Sequence, residues 1–515
     1  MMLTSMMLAG ALATVPCESL KSLTARDITI TAAEVVAAGS YTPATLPSAA
    51  AGRGAPAGTP PAPGRGRGGQ PVALPEHCRV SAVLTPSSDS HIEIEVWLPT
   101  TTWNGKFQAV GNGGWAGTLS RPAMMTALAA GYATASTDTG HRSTTTNSVE
   151  FALGHPEKVT DFAYRAVHEM TAKAKALINA FYERPARLSY FNGCSTGGRQ
   201  GLMEAQRFPD DYDAIISGAP VYNQLQLSAS QLARQVEAIR EPVKRLPPEK
   251  ITLLAKSVVA ACDAGDGVTD GIVSRPDRCS FAPSTLTCPS TSLGAGTADC
   301  LTAAQVETVN RAYAPVALKN GTVVYPGSSR GFESGMRMPE APMDLHYGPF
   351  RFIGRQDPAW NPMSFDLDAD LALILKTNAA SIAAADPNLA RFKARGGKLL
   401  LYHGWADPGP APANTVAYVE SVGKTLGGKQ DDWMRLFLMP GVGHCSGGVG
   451  PDQADFIGAL DRWRDAGQAP GRIDASKVTN GSVEMTRPLC AYPQVAVYSG
   501  KGSTNDAANF SCKNP

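Results

Sequence analysis

A serine stands between two glycines in Gly193-Cys194-Ser195-Thr196-Gly197, directly after the apolar run "RLSYFNG" and directly before "GRQGLMEAQRF". A strand that breaks into a tight turn and leaves it as a helix is the nucleophile-elbow arrangement. The turn lifts the serine hydroxyl to the edge of a sheet, and the glycines prevent collisions with the residues beside it. The Gly-x-Ser-x-Gly pattern alone occurs often by chance, so the strand-turn-helix setting carries the argument. Far downstream stands Gly443-His444-Cys445. The serine and the histidine each have a cysteine as immediate neighbour, and a bond between those cysteines would staple one to the other.

The surrounding pattern is strand and helix in alternation. "HIEIEVWLP" alternates apolar and polar residues as a half-buried strand does, and "GKFQAVGNGGWAG" reads as a strand entering a glycine-rich turn. "GYATASTDTGH" reads as a strand, and "DFAYRAVHEMTAKAKALINAFY" carries apolar residues at helical spacing. Such alternation predicts an α/β domain with a largely parallel sheet. Between about Val221 and Ala385 the rhythm is lost amid prolines, glycines and four cysteines, which suits a disulfide-stapled insertion. Regular pattern returns in "GGKLLLYHG", "RLFLMPGVGH" and "ADFIGALDRWRDAG". The expected organisation is a core of 17–220 and 386–515 split by an insertion at 221–385, with 1–16 a signal remnant or ordinary N-terminal chain.

With 515 residues the chain can bury at least one large core, and 46 Lys plus Arg against 45 Asp plus Glu leave no single-sign field to attract nucleic acid or a membrane surface. A small, roughly neutral substrate is the better default. Met1 to Val15 is apolar but too short to span a bilayer, and no other run approaches that length. Residues 42–75, rich in Ala, Pro, Gly and Arg, have little to bury and read as a mobile linker. The ten cysteines form no CxxC or zinc-like spacing, and Cys262 with Cys279, Cys288 with Cys300, and Cys490 with Cys512 are locally closed pairs. A disulfide framework made in an oxidising compartment is expected.

A serine hydroxyl needs a base within hydrogen-bond reach. Of the eight histidines, His444 alone lies late, in a glycine-rich turn after a convincing strand. His77, His91, His141, His155, His168 and His346 suit surface or core roles, while His403 precedes a second loop of interest. In that loop, "LLLYHGWADPGPAP", Asp407 follows a strand and could hold the imidazole, although Asp-Pro also makes turns without any such role. The order Ser195, Asp407, His444 is that of α/β-hydrolases. Backbone N–H groups must meet the oxyanion: Thr196, after the serine, and Gly114 in "GNGGWAG", where the glycines equally suit a plain turn. Cys194 as a free nucleophile is the competing reading, and the elbow disfavours it because the next residue occupies the apex.

These motifs resemble the tannase and feruloyl esterase family, in "GCSTGGRQG", "HGWADP" and "GVGHCSGG", with further likeness in "LPEHCRV", "WNGKF", "CDAGDGVTDGIV", "TADCLTAAQV" and "TRPLCAYPQ". The likeness runs from about Cys17 to Cys512. It implies a secreted or periplasmic serine esterase with an α/β-hydrolase core and a lid inserted after the elbow helix. Ser195 would be nucleophile, Asp407 acid and His444 base, with Gly114 and Thr196 supplying the oxyanion hole. The disulfides implied are Cys194–Cys445, Cys17–Cys78, Cys262–Cys279, Cys288–Cys300 and Cys490–Cys512. No organic cofactor is required.

The segment Cys262 to Ile272 holds three carboxylates separated by glycines, an arrangement that repels itself unless solvated or gathered on a hard cation. Solvated turn aspartates are the ordinary reading of the residues alone. The resemblance implies a structural calcium held by the side chains of Asp263, Asp266 and Asp270 and the carbonyls of Val268 and Ile272. Substrates implied are small aromatic esters, feruloyl or other hydroxycinnamoyl and galloyl first, with mono(2-hydroxyethyl) terephthalate as the alternative. That half-ester would need a cation for its free carboxylate, and Arg330, Arg337, Arg351 and Arg355 are the candidates. A non-catalytic binding protein of hydrolase descent and a peptidase are the readings from other classes.

Overall fold

The computed structural model of the chain describes residues 14–23, 26–41, 72–289 and 299–515. Most of the expected linker, 42–71, and the first thirteen residues lie outside these. Val72–Leu74, swept into the linker by composition, pairs antiparallel with Gly39–Tyr41, because its apolar Leu74 packs beside Trp97, Val110 and Met124.

Nine strands form one sheet: β1 (Ile28–Val36), β2 (His77–Leu84), β3 (Ile92–Pro99), β4 (Lys106–Val110), β5 (Ala133–Thr137), β6 (Leu188–Cys194), β7 (Ala214–Gly218), β8 (Lys398–Gly404) and β9 (Met434–Met439). Their spatial order is β1-β2-β3-β5-β4-β6-β7-β8-β9. The first three strands and the β3/β5 pair run antiparallel. From β5 onward every pairing is parallel. The parallel strands are buried on both faces, as helix-covered sheets require. Ile215, Leu399 and Leu401 face a core that includes Leu177 and Ile178 of the helix Ala166–Tyr182. Their neighbours Ile216 and Leu400 face Leu460 and Trp463 of the helix Phe456–Ala466 on the other side. β3, expected to be half-buried, is also covered on both faces, because its polar face is closed by Glu95 gripping Arg79, Arg121 and Trp97.

Residues 219–397 contribute no strand to this sheet. They include two helices where no regular rhythm was expected, Gln224–Arg240 and Pro248–Cys262. Part of the insertion has its own core around Leu254, Val258, Phe281 and Phe332. Another part packs onto the sheet domain, Leu225 and Phe350 meeting Trp115 and Phe162. All ten cysteines are joined, as Cys17–Cys78, Cys194–Cys445, Cys262–Cys279, Cys288–Cys300 and Cys490–Cys512. The fold is an α/β-hydrolase core carrying a large insertion between β7 and β8.

Candidate active site

β6 ends at Cys194 and the helix Thr196–Arg207 begins at once, leaving Ser195 alone in the turn at φ 65° and ψ −123°. A non-glycine residue holds such a backbone only when its surroundings enforce it. Here Ser195 N–H donates to Gly218 O at 3.0 Å, and Ser195 O accepts from Arg199 N at 3.0 Å and Val221 N at 3.2 Å. A side chain on Gly193 would lie 2.6 Å from the backbone of Gly197, so the turn closes only without one.

The loops after β8 and β9 bring Asp407 and His444 to this turn. His444 Nδ1 lies 2.7 Å from Asp407 Oδ2, and His444 Nε2 lies 2.9 Å from Ser195 Oγ. A carboxylate only accepts, so the proton sits on Nδ1 and the Nε2 lone pair faces the hydroxyl. Burial alone would raise the Asp407 carboxyl, but the charge of His444 and the hydrogen bonds from His403 and His444 outweigh it and hold Asp407 at about 2. His444 moves the other way: burial lowers it, and the charge and hydrogen bond of Asp407 leave it above its ordinary value. The Cys194–Cys445 bridge, with Cα atoms 6.0 Å apart, joins the residue before the serine to the residue after the histidine.

The turn that follows β4 supplies the opposite wall. Gly114 sits at φ +55°, where a Cβ would meet Thr146 O at 2.1 Å, so glycine is required for more than turn-making. Trp115 N–H is committed to Thr146 O at 2.7 Å, whereas the Gly114 and Thr196 N–H groups have no backbone acceptor among the described residues. The Gly114 carbonyl accepts from Thr196 Oγ1 at 2.5 Å and Gln224 Nε2 at 3.4 Å, which fixes the peptide plane. Two further residues, passed over in the sequence, lock this turn to the elbow helix. Gln200 Oε1 accepts from Asn112 N at 3.0 Å, and Gln200 Nε2 donates to Asn112 Oδ1 at 3.1 Å. Their only sequence signal is position: Gln200 lies one helical turn past the serine.

His403, fully buried, is the other residue whose role the sequence left open. Its Nε2 is 3.1 Å from both Asp407 Oδ2 and Pro410 O, so Nε2–H donates, while Nδ1 lies 2.8 Å from Thr415 Oγ1. Asp407 Oδ1 accepts from Gly409 N at 2.8 Å. The other histidines stay away from the serine and histidine loops, except that His346 lines the same cavity, burial holding it at about 4.

That cavity, about 800 Å³, opens over Ser195 and His444 between the sheet domain and the insertion. Its walls include Trp115, Leu227, Phe332, Met336 and Leu345. Trp115 Nε1 donates to Leu345 O at 3.0 Å, tying the glycine turn to the insertion. Of the four arginines expected to face a substrate carboxylate, Arg337 alone lines the cavity. Arg330 donates to Phe281 O, Arg351 to Trp360 O, and Arg355 pairs with Asp370.

The acidic loop lies in the insertion, next to the Cys262–Cys279 bridge. Asp263 accepts from Asp270 N and Gly271 N, Asp266 from Val268 N, and Asp270 from Ile272 N. Burial holds the Asp270 carboxyl above its ordinary value, with the charges of Asp263 and Asp266 adding to the rise and Arg487 opposing it. Mutual repulsion among hard oxygen donors on one loop fits a hard cation, although Arg487 already pairs with Asp270. Among the described residues, a tighter set is His168, Glu204 and Asp211, whose ligand atoms all lie within 4.8 Å of one another. The ammonium of Lys175 donates to the Asp211 carbonyl beside them.

The sequence matches the tannase and feruloyl esterase family over residues 78–346 and 351–513. It is 33% identical to an uncharacterized esterase of Xanthomonas campestris pv. campestris, over 98% of this chain and 92% of that protein. It is also 33% identical to feruloyl esterase B of Aspergillus niger, over 84% of this chain and 86% of that protein. The crystal structure of feruloyl esterase B from Aspergillus oryzae superposes with a TM-score of 0.87 at 28% identity, covering 96% of this chain and 99% of that one. The chain is a carboxylic ester hydrolase of the tannase and feruloyl esterase family.

Proposed function

We propose that this chain is a secreted or periplasmic serine esterase that hydrolyses esters of aromatic acids, feruloyl or other hydroxycinnamoyl and galloyl esters foremost, through an acyl-enzyme on Ser195. The observation that carries the reading is the unbroken chain of contacts from Ser195 Oγ through His444 to Asp407 at the floor of an apolar cavity. Export is supported by ten cysteines that are all in disulfides.

In this mechanism His444 Nε2 takes the hydroxyl proton as Ser195 Oγ attacks the ester carbonyl. The Gly114 and Thr196 N–H groups receive the oxyanion, and each such donor is worth about 2.7–4 kcal/mol in the transition state. His444 then gives the proton to the departing alcohol. Water enters, loses a proton to the same nitrogen, and releases the acid from Ser195. Asp407 keeps the proton of the resting imidazole on Nδ1 and balances the imidazolium. The insertion acts as a lid that shapes the aromatic pocket. Calcium, held by Asp263, Asp266, Asp270 and the Val268 and Ile272 carbonyls, would stiffen that lid by neutralising its carboxylates.

Initial rates on methyl ferulate, methyl gallate, a terephthalate half-ester and a peptide, run beside Ser195→Ala, test the reading. Turnover of at least one aromatic ester by the wild type alone is expected. No ester turnover, or equal turnover by the variant, would sink it.

A further inference from the structure

We infer that His168, Glu204 and Asp211 form a binding site for one zinc-type divalent cation, which ties the far end of the elbow helix to the helix Ala166–Tyr182 and to the chain entering β7. The site is separate from the ester chemistry, since Glu204 lies nine residues past Ser195, about 13 Å along the helix axis. It is separate also from the acidic loop at Asp263.

Three elements bring the donors together. The elbow helix buries Glu204 at 1% exposure between Met203 and Ala205, where an apolar side chain would be the ordinary choice. His168 comes from the first turn of the helix Ala166–Tyr182, and Phe208 stacks on its ring with centroids 3.8 Å apart. Asp211 stands just before β7, in a turn closed by its N–H donating to Phe208 O at 2.9 Å. His168 Nδ1 lies 2.7 Å from Asp211 Oδ2, and the donor atoms of all three residues lie within 4.8 Å of one another. Donors around a tetrahedral ion with bonds of about 2.0–2.2 Å stand about 3.4 Å apart, so side-chain shifts of roughly 1 Å complete the set. The His168 and Asp211 side chains are 34% and 15% exposed, which opens the site to solvent on one side with Glu204 as its floor.

The buried carboxylate is the group that needs a ligand. Among the described residues neither Glu204 oxygen has a hydrogen-bond partner, and an ionised carboxylate in that state is costly. Burial foremost, then the charge and close approach of Asp211, push the Glu204 carboxyl well above its ordinary value, with Lys175 opposing. Lys175 does not supply the missing partner, because its ammonium donates to the Asp211 carbonyl instead. A proton shared between the two carboxyls would relieve their repulsion but engage only two of the three converging groups, whereas a divalent cation engages all three. One imidazole with two carboxylates suits zinc better than calcium or magnesium, which take oxygen donors. Zinc would displace the proton with which Nδ1 now faces Asp211, and water from the open side would fill a fourth position.

The test uses the full chain made without a histidine tag. Metal-stripped protein is returned to calcium-containing buffer, so that the acidic loop does not respond, and is then dialysed against micromolar zinc sulfate. Elemental analysis should find one zinc per chain, anomalous diffraction at the zinc edge should place it among the three side chains, and the midpoint of thermal unfolding should rise. Glu204→Gln, which keeps the shape of a protonated carboxyl, and His168→Gln should each weaken binding by more than the roughly 10-fold to 100-fold that loss of an outer-shell partner costs. His155→Ala, which removes an exposed imidazole paired with Asp89, should bind zinc as the wild type does. The diffraction readout needs only the wild type, so it decides the matter even where a variant does not fold. No zinc retained by the wild type would overturn the inference and leave the two carboxyls sharing a proton. An anomalous peak elsewhere, or an affinity unchanged in both Glu204→Gln and His168→Gln, would overturn it as well.

Discussion

His403 and His444 reach the same oxygen of Asp407, Oδ2, at 3.1 and 2.7 Å. With the Gly409 N–H on Oδ1, the carboxylate is held by three donors, and only one of them, His444, also faces Ser195. The direction in which Asp407 grips His444 is thus set by a buried histidine four residues before it, at the end of β8.

His403→Leu, which removes the donor, should lower kcat about tenfold, the scale of one hydrogen bond to a charged group. A pH profile separates positioning from mere folding. His444 is raised by Asp407 and must lose its proton to act as a base, so activity should fall as pH drops through a value above the ordinary histidine range. Without the His403 donor, more of the Asp407 charge faces His444, and the acid limb of kcat/KM should move higher still. An acid limb that stays in place in the folded variant would set His403 aside.

Gly114→Ala should cost about 10²–10³ in kcat, the effect of losing an oxyanion donor. The added methyl would sit 2.1 Å from Thr146 O, so the turn must shift and carry the Gly114 N–H with it. Steady-state kinetics check this, and activity within twofold of wild type would place the oxyanion elsewhere.

The sheet and the meeting of Ser195, Asp407 and His444 were legible because they rest on local signals. β6, β8 and β9 are apolar runs that stop at glycine-rich turns, and Ser195, Asp407 and His444 stand in those turns. The helix Gln224–Arg240 was passed over although Leu225, Ala229, Leu232 and Val236 recur at helical spacing and are buried, because the equally buried Gln224, Ser228, Ser230 and Gln235 interleave with them and dilute the pattern. Gln200 and His403 were hidden for another reason: their partners, Asn112 and Asp407, are identified only by the folded geometry.

The Cys194–Cys445 bridge spans the sheet from the end of β6 to the loop after β9, with β7 and β8 in between. Chain entropy over 251 residues gives at most about 5 kcal/mol of stability, and the distance it fixes matters more to general-base catalysis. Cys194→Ser with Cys445→Ser should lower kcat about tenfold or more while circular dichroism at the assay temperature stays native. Full activity in the double variant would mean that the bridge is not what positions His444.

Stripping divalent ions with a calcium chelator should lower the midpoint of thermal unfolding, and added calcium should restore it. Binding at a hundredfold excess over Kd is worth about 2.7 kcal/mol. Asp266→Asn should blunt both responses. The same midpoint with chelator and with calcium would argue that Arg487 and solvent suffice for the three aspartates.

The most direct measurement is intact-protein and peptide mass spectrometry of the enzyme quenched within the first turnovers of an aromatic ester. One acyl group per chain, on the peptide containing Ser195, is expected, with no adduct and roughly 10⁴-fold or lower kcat in Ser195→Ala. An acyl group on another residue, or a Ser195→Ala variant that still turns over the ester at the wild-type rate, would contradict the account.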